Sequence, residues 1–225
     1  SLYAAEALLR IHDKNGNFIS PAEAIPILEE SGLIIPVGKW IIQNAFSMCT
    51  ECRKYYPEFR VSINLSYVQI LKSPLMMELK QMIEHSGISC SGIIVELTES
   101  GYLEGTPAVR SVWNDMKQLR IQIALDDFGT GYSNLMNISN LEPDIVKLDR
   151  GFTLKALSRS YEYQLMQYVI EMVHKLNQYV CVEGVETKED LEKIKALGPD
   201  LIQGYYYSKP CSRDEFLKKF FGYSE

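Results

Sequence analysis

The sequence predicts one α/β domain of the TIM-like (β/α)8 barrel class, and three observations carry that prediction. At 225 residues and 46% hydrophobic content the chain can bury a core of that size. Short apolar runs alternate with amphipathic helical stretches, as successive βα units require. Polar residues recur where the apolar runs end: Glu6, Asn64, Glu96, Asp126, Lys147, Glu183 and Gln203 are separated by 58, 32, 30, 21, 36 and 20 positions. Most of these intervals lie near the roughly 30 residues of one barrel unit, and about seven units are visible. In such a barrel the C-terminal rim hosts the chemistry, so residues far apart in sequence converge on one face. A doubly wound sheet, which would scatter them along a line, is the alternative architecture.

Taken in order, residues 1–10 read as a strand, followed by a polar turn at residues 12–17. Ser20, Pro21 and Glu23 supply an N-cap, a first-turn proline and a capping-box acid, so a helix should start there and end near Gly32, bent at Pro26. A helix over 38–55, a strand over 59–65 and a helix over 74–85 follow, the last with Leu75, Leu79, Met82 and Ile83 on one face. Residues 93–96 form a strand and 107–119 the helix that returns to Ile121. Beyond the strand at 143–149, residues 158–178 predict one helix with Tyr161, Leu165, Val169, Met172 and Leu176 facing the core. A strand at 179–186, a helix capped by Thr187, a strand at 201–207 and a helix over 214–221 complete the chain.

A formal charge of −6 gives no basic footprint, which argues against DNA or RNA duplexes as partners. No apolar run reaches the length of a membrane span. Five cysteines without framework spacing suggest a reducing compartment, hence the cytoplasm; a tether to the inner membrane would have to lie upstream of Ser1. The lone Cys49-Thr50-Glu51-Cys52 falls in a helical stretch and is a weak redox or zinc signal. The three histidines lack neighbouring ligands, which speaks against a histidine-built centre.

The chemistry concentrates at residues 121–133, an apolar strand that breaks into Asp126-Asp127-Phe128-Gly129-Thr130-Gly131. Adjacent carboxylates at a buried strand end need cations. A turn permitted by Gly129 and Gly131 could swing both toward one centre. An isolated Asp-Asp would read as a solvated loop start, but acids at several other strand ends favour metal. Lys147, inside an apolar run, is either a snorkelling structural lysine or an inward one paired with those acids.

Glu6-Ala7-Leu8, Val61-Ser62-Ile63-Asn64-Leu65-Ser66, Glu96-Leu97-Thr98-Glu99, the Asp126–Ser133 stretch, Lys147-Leu148-Asp149, Glu183-Gly184-Val185-Glu186-Thr187 and Gln203-Gly204-Tyr205 together resemble the EAL-domain family of bacterial cyclic di-GMP phosphodiesterases. The resemblance runs from residue 3 to residue 210 and treats 1–225 as one EAL phosphodiesterase domain. It implies hydrolysis of cyclic di-GMP to linear 5′-pGpG with two Mg²⁺ or Mn²⁺ ions, Ca²⁺ being inhibitory. By position, Glu6, Asn64, Glu96 and Asp126 would hold one ion and Asp126 and Asp127, with Glu183 nearby, the other. Lys147 would contact the attacking water, Glu99 would brace the loop after Asp127, and Glu186 would serve catalysis. Arg10, Asp149 and Gln203 would contact substrate. An all-oxygen donor set suits hard cations, and two such ions about 3.5–4 Å apart suit in-line displacement. Five acids, one lysine and two divalent ions sum to neutrality. The resemblance also implies a homodimer and an upstream sensory or GGDEF domain.

Two departures stand out. Ile11 occupies a position where the family often has tryptophan, and no Tyr-Gln-Pro first strand precedes Ser1, so the sequence reads as an N-terminally truncated barrel short of one strand. Two other functions stay open: a cyclic di-GMP receptor that does not cleave, and an unrelated barrel enzyme such as an enolase-like proton abstractor.

Overall fold

The computed structural model describes residues 2–98, 106–130 and 141–222. Expectations placed on Glu99 and Gly131 lie outside the described residues. The chain divides into two compact units, one of Ser1–Glu96, Glu104–Ile121 and Arg213–Glu225, the other of Leu97–Leu103 and Gln122–Ser212.

In the first unit, β1 (Ala4–Ala7) is followed by an antiparallel pair, β2 (Ile11–His12) and β3 (Phe18–Ile19), around the turn expected at 12–17. Asp13 builds that turn: its Oδ1 accepts from the backbone N–H of Asn15 and Asn17 at 2.7 and 2.8 Å. The Asn17 side-chain hydrogen bond is the main cause that holds the Asp13 carboxyl below its ordinary range. Helix α1 (Pro21–Glu30) starts where expected, with Ser20 Oγ accepting from Ala22 N–H, and α2 (Ile34–Cys52) follows.

Strand β4 (Arg60–Asn64) lies parallel to β1, with Glu6 opposite Ser62, and parallel to β5 (Ile93–Thr98), with Asn64 opposite Glu96. Register partners in parallel strands share a face, so Glu6, Ser62, Asn64 and Glu96 point to one side. Val61, Ile63, Ile93 and Val95 take the other and are buried. Helix α2 buries Ile42, Ala45, Phe46 and Cys49, each large side chain so placed contributing about 1.5–3 kcal/mol. Between β4 and β5, α3 (Tyr67–Lys72) precedes α4 (Leu75–Ser86). The expected face of α4 holds, with Leu75, Leu79 and Met82 buried. Helix α3 was not anticipated, although its Ser66-x-x-Gln69 capping box is a readable signal. Helix α5 (Pro107–Gln118) leads to the second unit.

Cys49 and Cys52 are fully buried in α2, and the Cys49 thiol faces the carbonyls of Phe59 and Gly92. Burial pushes Cys49 up to about 11 and Cys52 to about 12. Both are structural thiols, which removes the redox reading of the C-x-x-C. As pH rises past the ordinary value of 9.0 the unfolded chain releases these protons while the folded chain keeps them, so their contribution to stability is lost above that pH. We expect the denaturation midpoint to fall between pH 9 and 11 in the wild type and to fall less in a Cys49→Ala, Cys52→Ala double variant; equal pH slopes would refute this.

In the second unit β6 (Gln122–Phe128), β7 (Ile145–Leu148), β8 (Tyr179–Val182) and β9 (Leu201–Ile202) are successive parallel neighbours. Three helices accompany them: α6 (Arg150–Ser158), α7 (Ser160–Lys175) and α8 (Lys188–Lys195). The single helix expected over 158–178 is α7; α6, which precedes it, was not anticipated and is ended by the extended backbone of Arg159. The expected inward face of α7 is overturned in part: Val169 and Met172 are half-buried, but the fully buried stripe is another one. Met166, Ile170 and Val173 are the buried residues of α7, whereas Tyr161 is 77% exposed and Leu165 and Leu176 lie outside as well. Both stripes of α7 are apolar, so periodicity alone could not choose between them. Helix α9 (Arg213–Phe221) belongs to the first unit, where Arg213 pairs with Glu51 of α2.

Candidate active site

The first unit gathers Glu6, Asn64 and Glu96 toward the C-terminal ends of β1, β4 and β5. Asn64 Nδ2 donates to Glu6 Oε1 at 2.7 Å, and Ser62 Oγ donates to Glu96 Oε1. The Leu65 N–H donates to the Glu96 carbonyl at 3.0 Å, which ties the end of β4 to that of β5. Glu96 is 3% exposed, Glu6 is half-buried and Asn64 is exposed. A buried carboxylate beside a second carboxylate is costly unless hydrogen-bond donors or cations meet it.

The second unit centres on Lys147, which is 3% exposed. Its Nζ lies 2.7 Å from Glu183 Oε1 and 3.2 Å from Asp126 Oδ1. The inward, paired reading of this lysine is thereby borne out, and the snorkelling one is not. Asp126 and Asp127 sit in a bulge: Leu125 pairs with Val146 and Phe128 with Leu148, so two acids oppose the single Lys147. Asp127 carries the bend itself, at φ +59°, a backbone region that Asp tolerates better than most residues. The turn expected from the glycines does follow, with Gly129 at φ +104°. The reorientation of the pair, however, begins one residue before Phe128, in the strand.

Glu183 and Glu186 are separated by Gly184, whose φ of +78° and close approach to the Arg150 side chain exclude a Cβ. That bend leaves Glu183 with Lys147 while Glu186 Oε1 accepts from Arg150 Nε and Nη2 at 3.2 and 2.8 Å. The Glu186 hydrogen bond is the main reason the Arg150 guanidinium is held above its ordinary range. Asp149, expected to contact substrate, caps α6 through Oδ1, which accepts from the Gly151 and Phe152 N–H groups at 2.7 and 3.3 Å. Gln203 sits just past β9, its backbone N–H bonded to the Val182 carbonyl at 2.8 Å. Arg10 is exposed, its Nη1 donating to the Leu9 carbonyl. Arg150 is the residue that reading the sequence missed; an arginine directly after the Asp149 cap was the signal.

With this geometry in hand, the chain can be set beside known proteins. A family model described as the EAL domain matches residues 1–210. The chain belongs to the EAL domain family. PdeF of Escherichia coli strain K12, named a cyclic di-GMP phosphodiesterase, is 32% identical over 205 residues, covering 91% of this chain and 27% of PdeF. The structure of the EAL enzyme Bd1971 in its cAMP- and cyclic-di-GMP-bound form is 30% identical with a TM-score of 0.91, covering 96% of this chain and 60% of that one. BlrP1 of Klebsiella pneumoniae, solved as a calcium and cyclic di-GMP complex, is 25% identical with a TM-score of 0.79, covering 92% of this chain and 51% of that one. This chain spans about a quarter of the length of the curated relatives it matches. The EAL fold is α/β and TIM-like, as expected, and both the doubly wound sheet and the enolase-like alternative are set aside.

Among the described residues no group of three or more His, Cys, Asp or Glu side chains stands close enough to hold a metal ion. In each cluster the member beside the acids is of another type: the amide of Asn64 beside Glu6, and the ammonium of Lys147 between Asp126 and Glu183. The donors nonetheless fit a hard divalent cation. They are carboxylates and an amide, with no thiolate or imidazole among them. Asp126 Oδ1 is buried and faces the Lys147 ammonium at 3.2 Å, so this pocket already holds positive charge against its carboxylates.

Proposed function

We propose that this EAL domain hydrolyses one phosphodiester of cyclic di-GMP to linear 5′-pGpG in the presence of Mg²⁺ or Mn²⁺. The observation that carries the reading is the buried Lys147 ammonium held between Asp126 and Glu183. The name of PdeF and the bound cyclic di-GMP of Bd1971 and BlrP1 support the substrate, and the calcium of BlrP1 supports a divalent cation. Glu6, Asn64, Glu96, Asp126, Asp127 and Glu183 are the proposed metal donors. Bound divalent cations would activate water and offset phosphate charge. Lys147 Nζ, its direction fixed by two carboxylates, would donate a hydrogen bond to the attacking water and orient it. Arg150 would hold Glu186 in place, and Arg10 and Gln203 would meet the substrate. Glu99 keeps its proposed bracing role. Ca²⁺, larger and less exacting in coordination, would support binding without turnover.

Incubation of the protein with cyclic di-GMP and Mg²⁺, followed by chromatography, tests the reading: a linear product supports hydrolysis, and unchanged bound substrate supports the receptor alternative. We place the protein in the cytoplasm, where its buried thiols stay reduced; no helix among the described residues is long and apolar enough to cross a membrane. An upstream sensory or GGDEF domain would account for the greater length of the relatives.

The outer stripe of α7 supports a homodimer. Tyr161, Leu165, Tyr168 and Leu176 fall at helical spacing and are 77%, 42%, 61% and 48% exposed. An uncharged stripe of this kind is self-complementary across a two-fold axis. Tyr161→Glu with Tyr168→Glu should convert a dimer to a monomer in light scattering without lowering the melting temperature; a wild type that is monomeric at high concentration would refute the surface.

A further inference from the structure

The β2–β3 hairpin has two faces of different chemistry. Ile11 is opposite Ile19 and both are half-buried, while His12 is opposite Phe18 and both are exposed. Arg10 precedes His12 by two residues and falls on the same outward side. Its guanidinium carbon lies 6.0 Å from the Phe18 ring centroid, and the His12 and Phe18 rings meet edge-on with centroids 6.0 Å apart. Phe18 is 55% exposed, so much of its ring surface is open to a ligand. The loop that presents it is stiff, because the Asp13 carboxylate takes three hydrogen bonds from Asn15 and Asn17. Arg10 lies four positions after Glu6, which limits their distance along the chain to roughly 14 Å.

A guanidinium beside an open phenyl ring matches a ligand that carries a phosphate next to a flat base. We propose that Phe18, flanked by His12, is a base-stacking residue that receives one guanine of cyclic di-GMP while Arg10 meets the adjacent phosphate. The proposal rests on the cyclic di-GMP reading and adds to it a residue that sets affinity and base preference. Stacking acts equally before and during reaction, so its loss should raise KM and leave kcat unchanged.

The test compares wild type, Phe18→Ala and Phe18→Trp by calorimetric titration with cyclic di-GMP and by steady-state kinetics, with melting temperatures confirming the fold. Loss of one base–aromatic stack should weaken binding by roughly ten-fold or more in Phe18→Ala. Phe18→Trp should restore affinity, and the added part of its emission should be quenched by ligand. A merely structural role would give neither the rescue nor the quenching. Binding by wild type with an unchanged KM and Kd in Phe18→Ala overturns the stacking proposal alone. Absence of cyclic di-GMP binding by wild type overturns the substrate reading and the stacking proposal together.

Discussion

Lys147→Ala is expected to lower kcat for cyclic di-GMP by two to four orders of magnitude, about the range seen when a positioned proton donor or charge stabiliser is removed. The structural reason is that Lys147 Nζ is buried and constrained by two carboxylates. It is 3% exposed and is held by Glu183 at 2.7 Å and Asp126 at 3.2 Å. The substitution also leaves two carboxylates facing a space without counter-charge. Breaking one side of a buried ion pair costs about 3–5 kcal/mol, so the variant should melt lower than wild type in the absence of divalent cation. Added Mg²⁺ should recover much of that loss, because it supplies charge to the same oxygens. Lys147→Arg keeps the charge but replaces a compact ammonium by a planar fork; it should recover stability and little of the rate. Measuring kcat, KM and melting temperature for both variants with and without Mg²⁺ separates the roles. A wild-type rate in Lys147→Ala, with the protein folded, would remove the lysine from the chemistry.

The clusters were legible because strand ends are. Glu6, Asn64 and Glu96 follow short apolar runs, and parallel register then places Asn64 opposite Glu96 without further information. Lys147 was legible for the opposite reason, a charge within an apolar run, which is tolerated only where acids meet it. What the sequence hid was backbone geometry. Nothing in Asp126-Asp127 announces that Asp127 takes a positive φ and that the acids share a bulge against one residue of β7. Asp149 illustrates a double signal: the same carboxylate suits a ligand contact and a helix cap, and two backbone N–H groups within reach make it the cap of α6. The short helices α3 and α6 offer little periodicity, so their caps at Ser66 and Asp149 were the only marks to read. In α7 two apolar stripes compete, and only the surrounding packing selects Met166, Ile170 and Val173.

Excess EDTA is expected to take turnover to background, with Mg²⁺ or Mn²⁺ restoring it and Ca²⁺ restoring binding alone. The argument is electrostatic. The chain carries a formal charge of −6, and the proposed donors include five carboxylates against the single ammonium of Lys147. At an effective dielectric near 20, a charge pair 4 Å apart interacts by about 4 kcal/mol. One uncompensated carboxylate near contact with a substrate phosphate therefore opposes binding by roughly a thousand-fold, before any effect on the reaction itself. Hydrogen bonds from Ser62 and Asn64 ease the charge on Glu96 and Glu6 but cannot reverse its sign. Calorimetric titration with cyclic di-GMP should therefore show affinity falling together with turnover in EDTA, and recovering with Ca²⁺ while turnover does not. A rate independent of chelator would refute the divalent-cation reading of the donor set.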